Sequence, residues 1–194
     1  MARPREFDFE HAVDGAMQIF WRQGYHATNL PDLLNAMGLT RGSFYKAFGD
    51  KRRAYLEALN RYNQVNISAA VGFLEGPSET GGLSRIRELF ASVFSEQADK
   101  RMGSFVSNAM IELAPVDEDV AKLAAAMTGR VQGAFLKALT EDGPGDPDGT
   151  LQRAIALTNM YFGAQAISKT GQELPDWREL LGNLLDHGKK EPQD

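Results

Sequence analysis

The stretch Thr28 to Arg53, TNLPDLLNAMGLTRGSFYKAFGDKRR, decides the fold, because two short amphipathic segments lie on either side of a tight turn and each carries its own cap. Asn29 supplies a side-chain acceptor for the first turn of a helix, Asp32 places a carboxylate near its positive end, and Pro31 falls where a missing N–H costs nothing. Leu30, Leu33, Leu34 and Met37 recur at helical spacing and make one apolar face. Gly38 ends the helix, since a tight turn between two helices needs positive φ. Leu39 then plugs the corner, Thr40 caps the next helix, and Phe44 with Phe48 hold that helix against the first. Arg41, Gly42, Ser43, Tyr45 and Lys46 are left facing outward. Such a set offers donors, an amphipathic ring and a close backbone approach to a DNA major groove, so the spacing predicts a helix-turn-helix. Gly49-Asp50 forms a further cap before Lys51, Arg52 and Arg53, which open a long helix. Three cations there oppose the helix macrodipole, and phosphates are expected to neutralise them.

Read over a longer run, Ala16 to Leu59 resembles the DNA-binding part of the tetracycline-repressor (TetR) family. The marks stand in order: Phe20, Gly24-Tyr25, Thr28, Leu33, Gly38-Leu39-Thr40, Phe44-Tyr45, Phe48 and Lys51. Pro31 and Arg52-Arg53 depart from the family pattern. The resemblance covers roughly the first third of the chain. It implies a ligand-responsive, homodimeric transcriptional regulator with a double-stranded DNA operator as partner. DNA contacts are then expected from Thr28, Thr40, Arg41, Gly42, Ser43, Tyr45, Lys46 and Lys51.

The charge distribution agrees with a local rather than a global field. The net charge of −5 divides into 8 basic and 7 acidic residues over 1–60, and 13 basic and 19 acidic over 61–194. Between 41 and 53 there are five cations and one acid, and with a screening length of about 8 Å the local patch governs contact with phosphate. Zero cysteines exclude disulfides, thiolate metal sites and thiol redox chemistry. No window approaches the roughly 18 apolar residues of a membrane span, and MARPREFDFE lacks the apolar region of a signal peptide. A cytoplasmic protein without membrane contact is expected.

At 194 residues, 43% of them hydrophobic, the chain is long enough for a sizeable core. The expected architecture is all-α with about nine helices: a helix-turn-helix domain over 1–50 and an effector-binding and dimerisation domain over 51–194. Residues 2–6, with Arg3 and Arg5, form an arm. Phe9, Val13, Ala16 and Phe20 mark a first helix behind the helix-turn-helix. The helix from Lys51 should run to about Leu74, followed by helices near 83–99, 103–113 and from Asp117 onward. EDGPGDPDG, 141–149, reads as a loop.

A helix over about 150–170 is apolar on nearly every side and needs cover on two faces. With a last helix starting near Pro175, it is expected to pair with its symmetry copy, as the resemblance implies, through helices near 150–188. An apolar effector cavity between bundle helices is expected to involve Phe94, Phe105, Met127 and Phe162, with Asn108, Asn159 and Gln165 as polar anchors. The segment holding Gly103-Ser104 resembles a stretch that carries Gly-Cys in some TetR-like regulators. Serine forms neither sulfenate nor disulfide, so induction should be reversible rather than oxidative.

His11, His26 and His187 lack metal-like partners, so no metal and no cofactor are expected. Asp117, Glu118 and Asp119 suit a helix start, and neither a phosphate loop nor a nucleophile elbow is present. Two other readings stay open: an effector-free DNA-binding adaptor and a helical-bundle enzyme.

Overall fold

The computed structural model describes residues 7–77, 81–93, 102–141, 146–171 and 177–186. Phe94, the arm with Arg3 and Arg5, and Pro175 lie outside the described residues. The described elements are α1 (Phe9–Gln23), α2 (Leu30–Met37), α3 (Arg41–Phe48), α4 (Lys51–Tyr62), a π turn (Asn63–Ile67), α5 (Ser68–Glu75), α6 (Gly82–Val93), α7 (Phe105–Glu112), α8 (Glu118–Glu141), α9 (Pro147–Ser168) and α10 (Trp177–Asp186). Among the described residues there is no strand, and the all-α expectation holds. The helix expected from Lys51 carries the π turn within it. Asn63 and Ile67 keep right-handed helical dihedrals through the π turn, so α4, the turn and α5 are one helical run.

The chain forms two compact units, 1–65 with 104–124, and 66–103 with 125–194. In the first unit α1 is the brace, burying Ala12, Val13, Ala16, Met17 and Phe20 against α2 and α4. Gly15 permits the α1–α2 approach, because a Cβ there would stand 2.0 Å from the Ala36 carbonyl oxygen. An aromatic cluster ties α7 to the same unit: Phe105 meets Tyr55 at 5.3 Å and Tyr62 at 5.7 Å, edge to face, while Trp21 meets Tyr62 at 5.0 Å. Burial raises the pKa of both Tyr55 and Tyr62, and hydrogen bonding to Ser104 partly offsets this at Tyr62.

In the second unit, Leu74, Ile86, Phe90, Val131, Phe135 and Leu157 form the centre of the core. Phe90 lies 6.0 Å from Phe135 and 6.2 Å from Tyr161. A buried arginine fastens three helices: Arg85 donates Nε to the Leu74 carbonyl at 2.8 Å and pairs with Glu141. Gly82 allows α6 to touch α8, where a Cβ would stand 1.8 Å from the Ala138 carbonyl oxygen.

The loop expected over 141–149 is shorter than the turn residues suggested. Pro147 occupies the first turn of α9, where proline is tolerated, and the Asp146 carboxylate accepts from the Gly149 N–H at 3.1 Å. Residues that signal a loop therefore cap a helix instead. Along α9, Ala154, Leu157, Thr158, Tyr161 and Phe162 are buried, while Leu151, Ile155 and Ile167 are 41 to 49% exposed.

Candidate nucleic-acid interface

Local chemistry places the reading helix. The Asn29 side chain accepts from the Asp32 N–H at 2.9 Å and so starts α2. Gly38 adopts φ 64°, the left-handed conformation that stops α2, and Leu39 is buried at the corner. The Thr40 hydroxyl accepts from the Ser43 N–H at 3.3 Å to open α3. Phe44 and Phe48 anchor the inner face of α3, and the Phe48 ring stacks on Phe9 of α1 at 5.1 Å. Anchoring on one side fixes what the other side presents.

That outer side carries most of the expected contacts. Thr40, Arg41, Gly42 and Lys46 are exposed, Tyr45 is 49% exposed, and Ser43 is half-buried with its hydroxyl bonded to Thr40 at 3.0 Å. A Cβ at Gly42 would meet nothing within 4 Å, so the backbone there is open to a close neighbour. Thr28 is the exception: it is fully buried and its hydroxyl donates to the Gly24 carbonyl at 2.6 Å, which closes the turn after α1. Its side chain shapes the helix-turn-helix from inside.

The three cations that open α4 have different partners. Lys51 lies half-buried with Nζ 4.4 Å from the Tyr25 ring centroid, and burial lowers its pKa while Glu112 opposes that shift. Arg52 is bidentate on Asp117, with Nε at 2.6 Å and an Nη at 2.8 Å, and also reaches Asp119 at 2.7 Å. The hydrogen-bonded guanidinium holds the Asp117 carboxyl below its ordinary pKa. Arg53 is exposed, and its backbone N–H is capped by Asp50 at 2.8 Å. The expectation that phosphates must neutralise all three is corrected for Arg52, whose charge is met by carboxylates at the start of α8.

Sequence reasoning missed two further supports of the reading head. The Glu112 carboxylate accepts the backbone N–H groups of Tyr25 at 2.9 Å and His26 at 2.7 Å. Asn108 donates from Nδ2 to the Trp21 carbonyl at 3.3 Å. These pairs are 86 or 87 residues apart, beyond any local pattern.

The expected effector residues are divided between the two units. Phe105 and Asn108 belong to the first unit, Phe105 fully buried between tyrosines and Asn108 on α7 with its amide bonded to the Trp21 carbonyl of α1. In the second unit Met127 and Phe162 are buried, Asn159 is exposed, and Gln165 donates to the Tyr161 carbonyl of its own helix at 3.0 Å. Among the described residues no group of histidine, aspartate or glutamate side chains is arranged to hold a metal ion.

An all-α chain with a capped, anchored helix-turn-helix and a cationic outward face on its second helix is a DNA-binding regulator. Residues 12–58 match the family of bacterial regulatory proteins, tetR family. The HTH-type transcriptional repressor ComR of Escherichia coli is 29% identical over 191 residues, covering 94% of this chain and 90% of ComR. The HTH-type regulator YezE of Bacillus subtilis is 28% identical over 145 residues, 72% of each chain. Among solved structures, the TetR-family regulator CifR in complex with 26-base-pair operator DNA superposes with a TM-score of 0.76 at 26% identity, covering 95% of this chain and 98% of CifR. Residues 12–58 are thus a TetR-family DNA-binding region.

Proposed function

We propose that the chain is a homodimeric repressor that reads a palindromic operator in the cytoplasm and leaves it when a small apolar molecule binds. Residues 1–50 serve as the reading head and 51–194 as the effector and dimerisation part. The observation that carries this reading is the outer face of α3, where Arg41, Tyr45 and Lys46 project without being used by the fold. On that face Thr40, Arg41, Gly42, Ser43, Tyr45 and Lys46 contact DNA. Lys51 contributes from the start of α4, where a phosphate would compete with the Tyr25 ring for its ammonium group.

The second surface in support is apolar. Leu151, Ile155 and Ile167 on α9 and Leu180 on α10 are exposed by 41 to 49%, and a second copy of the chain would cover them. Two reading heads then meet successive half-sites about one helical turn apart. An effector that favours an arrangement with wrongly spaced heads lowers operator affinity by the same coupling factor.

CifR was solved as cysteine mutants and NemR of Escherichia coli in a reduced form. This chain has no cysteine, so release by reversible binding rather than by thiol oxidation is expected. Selection from random duplexes, followed by sedimentation of the complex, tests the proposal. A palindromic site holding an even number of chains is expected; binding of one chain to a single asymmetric site would overturn it.

A further inference from the structure

Asn66 lies in the π turn that joins α4 to α5 and is half-buried. Its carboxamide oxygen is shut off from solvent and has no hydrogen-bond partner. Buried acceptors are nearly always satisfied, because an oxygen stripped of water without a replacement donor is a standing cost to the fold. π turns themselves concentrate at functional sites. Asn66 also lines an open groove of about 560 Å³ in the second unit, between α5, α6 and α9.

The rest of the groove indicates what would fill it. Phe73, 41% exposed, and Leu89, Val93 and Tyr161 provide apolar and aromatic wall, and Ala69 leaves room between them. The Ser92 hydroxyl donates to the Leu89 carbonyl at 2.7 Å and is spent within its own helix. Glu88 is the only charged residue among the described lining residues. An ionised carboxylate offers acceptors alone, and so does the unpaired Asn66 oxygen.

We infer that this groove binds an aromatic, largely apolar compound carrying a protonated amine, with Glu88 facing its charge and the Asn66 oxygen accepting an N–H. Reaching that N–H requires the carboxamide to turn about its soft terminal torsion. The inference rests on the effector-responsive reading above and specifies its ligand class. A carboxylate ligand of the same shape meets Glu88 as a like charge and has no proton for Asn66.

The test uses 4-(1-naphthyl)butylamine with the matching alcohol and carboxylic acid, titrated calorimetrically into the full chain without DNA. The amine is expected to bind at least about tenfold more tightly than the acid. Glu88→Gln, an exposed position whose change leaves the fold intact, should bring amine and acid to within about threefold of each other. Asn66→Leu should weaken amine and alcohol alike by about fivefold or more. Equal or tighter binding of the acid, no binding by any of the three, or an unaltered preference in Glu88→Gln would overturn the inference. Operator release is read in a separate mobility-shift arm. An amine that binds as expected but leaves the operator complex intact counts against the repressor-release reading while the ligand site stands.

Discussion

Arg52 and Asp117 form a two-point pair, Nε to Oδ2 at 2.6 Å and Nη2 to Oδ1 at 2.8 Å, across 65 residues of chain. It joins the first turn of α4 to the cap of α8, where the same Asp117 carboxylate accepts from the Asp119 and Val120 N–H groups. The guanidinium is thereby committed within the protein. Replacing Arg52 with Ala should leave the slope of log K against log salt for operator binding unchanged, whereas Arg53→Ala or Lys46→Ala should flatten it by about 0.9 per lost phosphate contact. Fluorescence anisotropy across a salt series makes the comparison, and a flattened slope for Arg52→Ala would return that residue to the phosphate set.

The same pair fixes a pH dependence. Hydrogen bonding from Arg52 lowers the folded-state pKa of Asp117 below its unfolded value of about 3.9. A lowered carboxyl pKa contributes stability that is complete above the unfolded value and disappears as pH falls through the folded one. Asp117→Asn should therefore be less stable than the parent near neutrality, and the difference should shrink below about pH 4. Urea melts between pH 2.5 and 7 read this directly; a difference that grows on acidification would contradict the assignment.

Glu112 meets two backbone donors of the turn between α1 and α2, and Glu112→Ala should cost about 1.5 kcal/mol, the low end for charged hydrogen bonds because His26 is exposed to water. The loosened turn feeds directly into α2, so operator affinity should fall as well. Chemical denaturation gives the first quantity and anisotropy the second; unchanged affinity would show the turn to be held by other means.

Three glycines separate close approach from open surface. A Cβ at Gly15 or Gly82 would stand 2.0 or 1.8 Å from a carbonyl oxygen of the neighbouring helix, while at Gly163 it would meet nothing within 4 Å. Gly15→Ala and Gly82→Ala should each destabilise the protein by at least about 1–3 kcal/mol through backbone displacement. Gly163→Ala should be neutral or slightly stabilising, since alanine is the better helix former. Gly163→Trp should instead yield monomers in the ultracentrifuge if α9 pairs with its copy.

Altering Arg41 or Tyr45 should change base preference at roughly 1–3 kcal/mol per contact, because both stand on the exposed face of α3. Selection from random duplexes would show it. Recovery of the parental site by both variants would move sequence reading to other residues.

Much of the reading head was legible without coordinates, because its signals are local. Caps, turn glycines and helical spacing act over three or four residues, so Asn29, Gly38, Thr40 and the pair Phe44 and Phe48 could be assigned from order alone, and the structure places each of them in that role. The order of residues is ambiguous where one residue type serves two purposes. Asp146 and Pro147 suit a loop and a helix start equally, and Thr28 suits a groove and a buried turn equally.

By itself, the sequence determined the all-α class, the helix-turn-helix and its outward residues, and the absence of thiol chemistry. Only the tertiary structure decided that Arg52 answers Asp117, that Glu112 holds the turn after α1, that Phe105 and Asn108 belong with the reading head, and that Asn66 carries an unpaired oxygen beside a groove. The physical reason is range. Helix caps and periodicity are written within a single turn, whereas a buried charge or carbonyl is satisfied by whichever side chain the packing brings near, and nothing in the order of residues marks a partner 65 or 87 positions away.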